Sequence, residues 1–236
     1  SSSRGPSTPN FDIKPDVAAP GTNIMSTLPM YKADFPDASY DEAFSRKTGT
    51  SMATPHVAGV AALIKQANPT WDAFDVKVAL SNTAKILNTE KYDVFDQGAG
   101  RVQPYEAVHA NLFAYAIDTA NNDGETVENL KGTVTFGPQS LEEDLSITKQ
   151  ILVKDSVGNA QDVKATVDVI KSFGDATLTI EKDETNASKG EQLLNVTLTA
   201  SKASTENGDE FLGYILIQNG DREVSLPFAA DFGGEA

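Results

Sequence analysis

Between Gly49 and Ile64 the chain reads GTSMATPHVAGVAALI, and few backbones can hold that run. Pro55 has no N–H to give a helix and sits without penalty only in a first turn, so a helix must start just before it. Thr50 or Ser51 can cap that start, because a hydroxyl at the N-cap accepts from an orphan amide. Small residues at Gly49, Ala53, Ala58 and Gly59 let other backbone come close. From Val57 to Ile64 nearly every side chain is apolar, which predicts a helix buried on most of its sides. Ser51 then stands at the positive end of a buried helix, beside amides that lack partners. A hydroxyl placed there can attack a carbonyl, and the amides can hold the oxyanion that forms. Serine at a helix N-terminus is also a common structural cap, so position alone does not make a nucleophile.

The length of the pattern weighs against the plain cap. Residues 49–59, GTSMATPHVAG, are similar over eleven consecutive positions to the nucleophile segment of the subtilisin-like serine proteases. A match of that length is far more specific than a short GxSxG pattern. The resemblance implies that Ser51 is the nucleophile and that its amide, helped by Thr50, forms part of the oxyanion hole. It also implies that Met52 packs beside the active site. Upstream, Ser2–Pro6 (SSRGP) and Lys14–Ile24 (KPDVAAPGTNI) resemble segments that precede the nucleophile in the same family. Downstream, Gly98–Pro104 (GAGRVQP) with Ala107 and Val108 resembles the segment that closes a subtilase catalytic domain, which puts the end of that unit near Asn111.

A serine protease also needs a base, a carboxylate to orient it, and further oxyanion donors. The chain has two histidines. His56 follows Ser51 by five residues; at ~100° and ~1.5 Å per residue it lies ~140° round and ~7.5 Å along, facing away from the serine. It reads as a packed, hydrogen-bonded structural residue. His109 has no HGTHVAG-like context, and no aspartate lies in an Asp-Thr/Ser-Gly setting. In the family the order is aspartate, histidine, oxyanion asparagine, serine, so the resemblance places the first three before Ser1. The opening SSSRGP has no initiator methionine and no leader-like pattern, and is expected to come from inside something longer.

Composition excludes several classes. No apolar stretch approaches the ~20 residues of a membrane span. Cysteine is absent, which rules out disulfides and thiolate metal sites. The net charge of −15 is uneven: residues 1–111 hold 10 basic and 12 acidic groups, residues 112–236 hold 9 and 22. That asymmetry suggests two units and argues against nucleic acid or anionic lipid as partner.

Thr70 is the expected N-cap of a second helix from about Asp72 to Thr83, with Trp71 and Phe74 as core anchors. Residues 29–47, with Tyr31, Phe35, Tyr40 and Phe44, read as a surface hairpin or loop leading to the serine turn. After residue 111 the helical period gives way to alternation, as in Val163, Ala165, Val167 and Val169, or Leu194, Val196 and Leu198. Strands are expected near 132–136, 145–153, 162–170, 177–182, 193–200, 211–218 and 222–229, the last two joined by a turn at Asn219-Gly220-Asp221. Seven strands suit a small Greek-key sandwich. The order of this unit, with Phe211-Leu212-Gly213-Tyr214 and Leu226-Pro227-Phe228, resembles the fibronectin type III-like domain that follows the catalytic domain in large bacterial subtilases. The sequons at Asn186 and Asn195 read as chance matches.

The expected architecture is therefore α/β, as the incomplete C-terminal portion of a subtilisin-like catalytic domain over residues 1–111, plus an all-β seven-stranded sandwich over 112–236. The resemblance implies a secreted or cell-wall-associated bacterial endopeptidase acting on peptides or proteins. Its chemistry needs no cofactor, and subtilases often hold structural calcium in segments outside this chain. The isolated chain, lacking the upstream part of the catalytic domain, is expected to be inactive. The alternative is a non-catalytic extracellular binding or structural module built on the sandwich.

Overall fold

A computed structural model describes residues 1–8, 10–28, 31–139 and 142–232, and everything below concerns those residues. The first part is helical with one hairpin. Strand β1 (Ile24–Thr27) pairs antiparallel with β2 (Phe44–Lys47), and between them lie α1 (Tyr31–Asp34) and a 3₁₀ turn at Tyr40–Ala43. The hairpin or loop expected over 29–47 forms the connection and second strand of a hairpin whose first strand starts earlier, at Ile24; Pro29 and Met30 lie outside the described residues. Then come α2 (Thr50–Ala67), α3 (Ala73–Asn82), α4 (Val94–Gln97) and α5 (Pro104–Val108).

Nine strands follow: β3 (Leu112–Asn122), β4 (Glu125–Lys131), β5 (Val134–Gln139), β6 (Leu145–Asp155), β7 (Lys164–Lys171), β8 (Thr177–Asp183), β9 (Glu191–Ala200), β10 (Asp209–Asn219) and β11 (Arg222–Phe232). They form a four-stranded sheet in the order β5-β11-β10-β7 and a five-stranded sheet in the order β4-β3-β6-β9-β8. Every ladder is antiparallel except β5 on β11. Inward residues of both sheets, among them Ile151, Leu194, Leu198, Ile215 and Phe228, make one buried core. The chain is thus a mixture of helices and largely antiparallel sheets.

The structure corrects four expectations. The strand count is nine rather than seven, because β3 and β4 were missed. β3 is buried at four of its first five positions, which hides alternation, and β4 is a polar edge strand with its first four residues exposed. The N-cap of α3 is Asp72, whose carboxylate accepts from the Asp75 amide at 2.9 Å, rather than Thr70. Pro55 lies in the second turn of α2, not the first. Finally, α2 is not buried on most sides: only Val60 and Ile64 are fully covered, and Leu63 is 52% exposed. An apolar run gives a helix something to bury, but another surface must be present to cover it.

Val60 and Ile64 pack with Val76, Leu80, Val102 and Ala107, so α2, α3 and α5 share a small core of their own. A second cluster, Ile13, Val94 and Phe95 with Leu212, Tyr214 and Ala229, joins the N-terminal segment and α4 to β10 and β11. The helices are thereby held against the sheets.

Candidate functional site

The Ser51 turn is built from two glycine-bearing segments. Gly49, the N-cap of α2, has φ 155° and ψ 171°, a conformation that side-chain-bearing residues rarely adopt. Its amide donates to the Gly21 carbonyl at 2.8 Å, and the Thr48 hydroxyl accepts from the Asn23 amide at 3.0 Å. A Cβ on Gly21 would come within 2.8 Å of the Gly49 carbonyl, so the segment at Gly21 serves as a close backbone support for the turn. Across the hairpin, the Arg46 guanidinium donates to the Asn23 carbonyl at 2.9 Å.

From Gly49 the helix starts at once. The Met52 and Ala53 amides donate to the Gly49 carbonyl at 3.0 and 3.4 Å. The Thr50 and Ser51 amides come before that pattern and lie among the orphan donors of the first turn. Neither the Thr50 nor the Ser51 hydroxyl caps the helix. Thr50 and Ser51 are exposed and Met52 is half-buried. Among the described residues the Ser51 hydroxyl has no hydrogen-bond partner. An unengaged hydroxyl beside free amides at a positive helix end is an arrangement suited to nucleophilic attack and oxyanion binding.

Two depressions flank this turn. One, of about 450 Å³, lies between α2 and the hairpin and is lined by Ser51, Met52 and His56 on one side and Met25, Thr27 and Ser45 on the other. A larger one, of about 750 Å³, runs along the opposite flank past Ala18, Thr50, Ala53 and Val57.

His56 donates from Nδ1 to the Met52 carbonyl at 2.8 Å, the only role a carbonyl partner leaves that nitrogen. The packed, hydrogen-bonded reading of this residue agrees with that bond. The expectation that it faces away from Ser51 does not hold, because both line the groove beside the hairpin. A helical side chain leans back toward the N-terminus, which carries the imidazole over the preceding turn. No hydrogen bond joins it to Ser51 among the described residues. His109 ends α5 and packs on Tyr105 with ring centroids 4.4 Å apart. Among the described residues no cluster of three His, Asp or Glu side chains could hold a metal. Among the described residues no helix is long and apolar enough to cross a membrane.

The support that the Gly21 segment gives the turn agrees with a scaffolding role for residues 1–28 read from the sequence. Sequence reasoning missed the surroundings of Trp71. Trp71 and Phe74 are half-buried and pack edge-on against Phe113 and Tyr115 of β3, where they line a separate cavity. The aromatic pair at alternate positions of β3 was the available signal.

Against known proteins, the model of the subtilase family matches residues 1–133. The minor extracellular protease Vpr of Bacillus subtilis (strain 168) is 31% identical, over 95% of this chain and 25% of its own length. The subtilisin-like proteases SBT2.6 and SBT2.4 of Arabidopsis thaliana are 32% and 38% identical, over 56% and 47% of this chain. The chain covers 20% and 16% of those two proteins, so it spans a quarter or less of the length of all three.

Proposed function

Because the chain belongs to the subtilase family, we propose that it is the nucleophile-bearing part of a secreted subtilisin-like serine endopeptidase. Ser51 attacks the scissile carbonyl of a peptide substrate, and the acyl-enzyme that results is released by water. The Ser51 amide, with Thr50 beside it, supplies part of the oxyanion hole, and Met52 borders the site. The general base, the aspartate that orients it and the oxyanion asparagine come from another part of the parent protein. The observation that carries this reading is the exposed, unpartnered Ser51 hydroxyl at the start of an 18-residue helix, within the GTSMATPHVAG run.

The chain divides near Asn111 into a catalytic part, residues 1–111, and a fibronectin type III-like β-sandwich, residues 112–236. Two sheets around a common core, beginning at Leu112, support that division. The hairpin over residues 24–47 borders the side of the cleft that holds the leaving group. The substrate is a peptide or protein, and the remainder of the catalytic domain is the obligatory partner.

The experiment is labelling of the parent protein with a fluorophosphonate. Adduct formation at Ser51, lost in Ser51→Ala, is expected. The isolated 236-residue chain is expected to show no hydrolysis of a chromogenic peptide, because among the described residues no base is hydrogen-bonded to Ser51 and the His56 Nδ1 is held by the Met52 carbonyl. Hydrolysis by the isolated chain that disappears in Ser51→Ala would overturn the assignment of the base to another segment.

A further inference from the structure

The outer face of the five-stranded sheet carries a cavity that the protease reading does not use. Register places Phe113, Lys154 and Glu191 in one cross-strand row of that face, and Tyr115, Leu152 and Leu193 in the next. The start of α3 leans over these rows. Trp71 meets Phe113 edge-on with centroids 5.4 Å apart, and Phe74 meets Tyr115 at 5.2 Å. Between them lies a cavity of about 360 Å³. Small-ligand sites have this size and this make-up, aromatic walls with a few polar groups, and they favour junctions between units.

The polar groups at its wall are of both signs. Asp75 and Glu191 offer acceptors, and Lys154 offers donors, its Nζ 3.8 Å from Glu191 and 5.7 Å from the Tyr115 ring centroid. Asp155 also reaches the wall, but both of its oxygens are engaged by Arg222, at 2.8 and 2.6 Å. An anionic ligand would face Asp75 and Glu191, and a cationic one would face Lys154. A neutral polyhydroxyl ligand can donate to the carboxylates and accept from the ammonium, so it can use the whole set. The apolar C–H face of a sugar ring suits aromatic walls.

The same face continues as polar rows, with Glu181 beside Asn195 and Asp183 beside Leu193 at the β8 edge. Gln150 lies opposite Asn195; then Thr148, Thr197 and Thr179 form one row, and Ser146, Thr199 and Thr177 another. The Gln150 amide donates to Asn195 at 3.0 Å, and the hydroxyls pair across strands at 2.8 Å (Thr148, Thr197) and 2.7 Å (Thr177, Thr199). On a chain of net charge −15, the two hydroxyl rows, Thr148-Thr197-Thr179 and Ser146-Thr199-Thr177, carry no charge. Each paired hydroxyl keeps a lone pair for an outside donor.

We propose that this sheet face binds a neutral polysaccharide, one sugar ring seated in the Trp71–Phe113–Tyr115 cavity and the following rings lying on the amide and hydroxyl rows. The site is independent of Ser51 and stands whether or not the parent cleaves peptides.

Trp71 is the only tryptophan of the chain, so its emission reports directly on the cavity. The 236-residue chain is titrated with cellohexaose and, separately, with chitohexaose, the two distinguishing plain from N-acetylated sugars. A saturable change in emission with at least one of them is expected. Lys154→Gln and Glu191→Gln should each weaken it about tenfold, the loss of one charge-assisted hydrogen bond. Both side chains are about half exposed, and an unchanged urea midpoint checks that each variant is folded. Three results would overturn the proposal: no change with either sugar at millimolar concentration, equal affinity in both folded variants, or a response confined to hexalysine or hexaglutamate.

Discussion

At the end of β6 the Asp155 side chain is wholly shielded from solvent and accepts from five donors. Two come from the Arg222 guanidinium, two from the Val157 and Gly158 amides and one from the Asn219 amide group, so a single carboxylate ties β6 to the tip of the β10–β11 hairpin. Arg222 foremost, and then these amides, hold its carboxyl far below the usual carboxylate range. A group whose pKa is depressed on folding stabilises the protein above its unfolded value, here about 4, and that contribution is lost as pH falls below it. Asp155→Asn leaves the guanidinium with a neutral partner and should lower stability at neutral pH by about 3 kcal/mol. Its urea midpoint should also fall less steeply than that of the wild type between about pH 5 and pH 3. Asp175, brought to about 2 by the Ser204 hydroxyl, titrates in both proteins, so the difference between the curves reports Asp155. Parallel curves would show that Asp155 does not govern acid unfolding.

Helix α2 carries a fault at its active end. Pro55 is the sixth residue of the helix and cannot donate to the Ser51 carbonyl, so the turn that presents the serine is missing a rung. Pro55→Ala restores that donor and should raise stability by about 1–3 kcal/mol, read from urea unfolding. A lowered midpoint would mean that the ring's packing in the groove outweighs the missing bond. The hairpin beside it is closed at its base by the Leu28 amide on the Ala43 carbonyl at 2.7 Å, and the Glu42 carboxylate accepts from the Ser39 amide at 2.7 Å. If this hairpin borders the leaving-group side, deleting residues 33–38 from the parent protein should change which residues are accepted after the scissile bond. A peptide-library profile that stays the same would remove the hairpin from the substrate cleft.

At the scale of the molecule, helices and sheets are joined by polar contacts as well as apolar ones. The buried Asn82 amide group accepts from the Ala114 amide at 2.8 Å and donates to its carbonyl at 2.9 Å, in the manner of a neighbouring strand. The Tyr214 hydroxyl, whose pKa burial pushes up, donates to the Gly98 carbonyl at 2.7 Å. Gly98 has φ 59°, and a Cβ there would lie 2.2 Å from the Pro15 carbonyl, so this crossing admits no other residue. Asn82→Leu strands two buried backbone groups and should cost about 2–4 kcal/mol. Trp71 emission should then change at lower urea than the far-ultraviolet signal of the sheets, whereas in the wild type the two should coincide. Coincident transitions in the variant would show that Asn82 is not the coupling. The sequence by itself determined what local chemistry controls: the helix behind Ser51, the turn after β10, the strands with alternating faces, and the family, through eleven consecutive residues. It did not determine β3 and β4, the cap at Asp72, the exposure of α2 or the groove shared by Ser51 and His56. Each of those depends on which surface lies opposite, because burial belongs to pairs of elements distant in the chain, and only the tertiary structure brings them together.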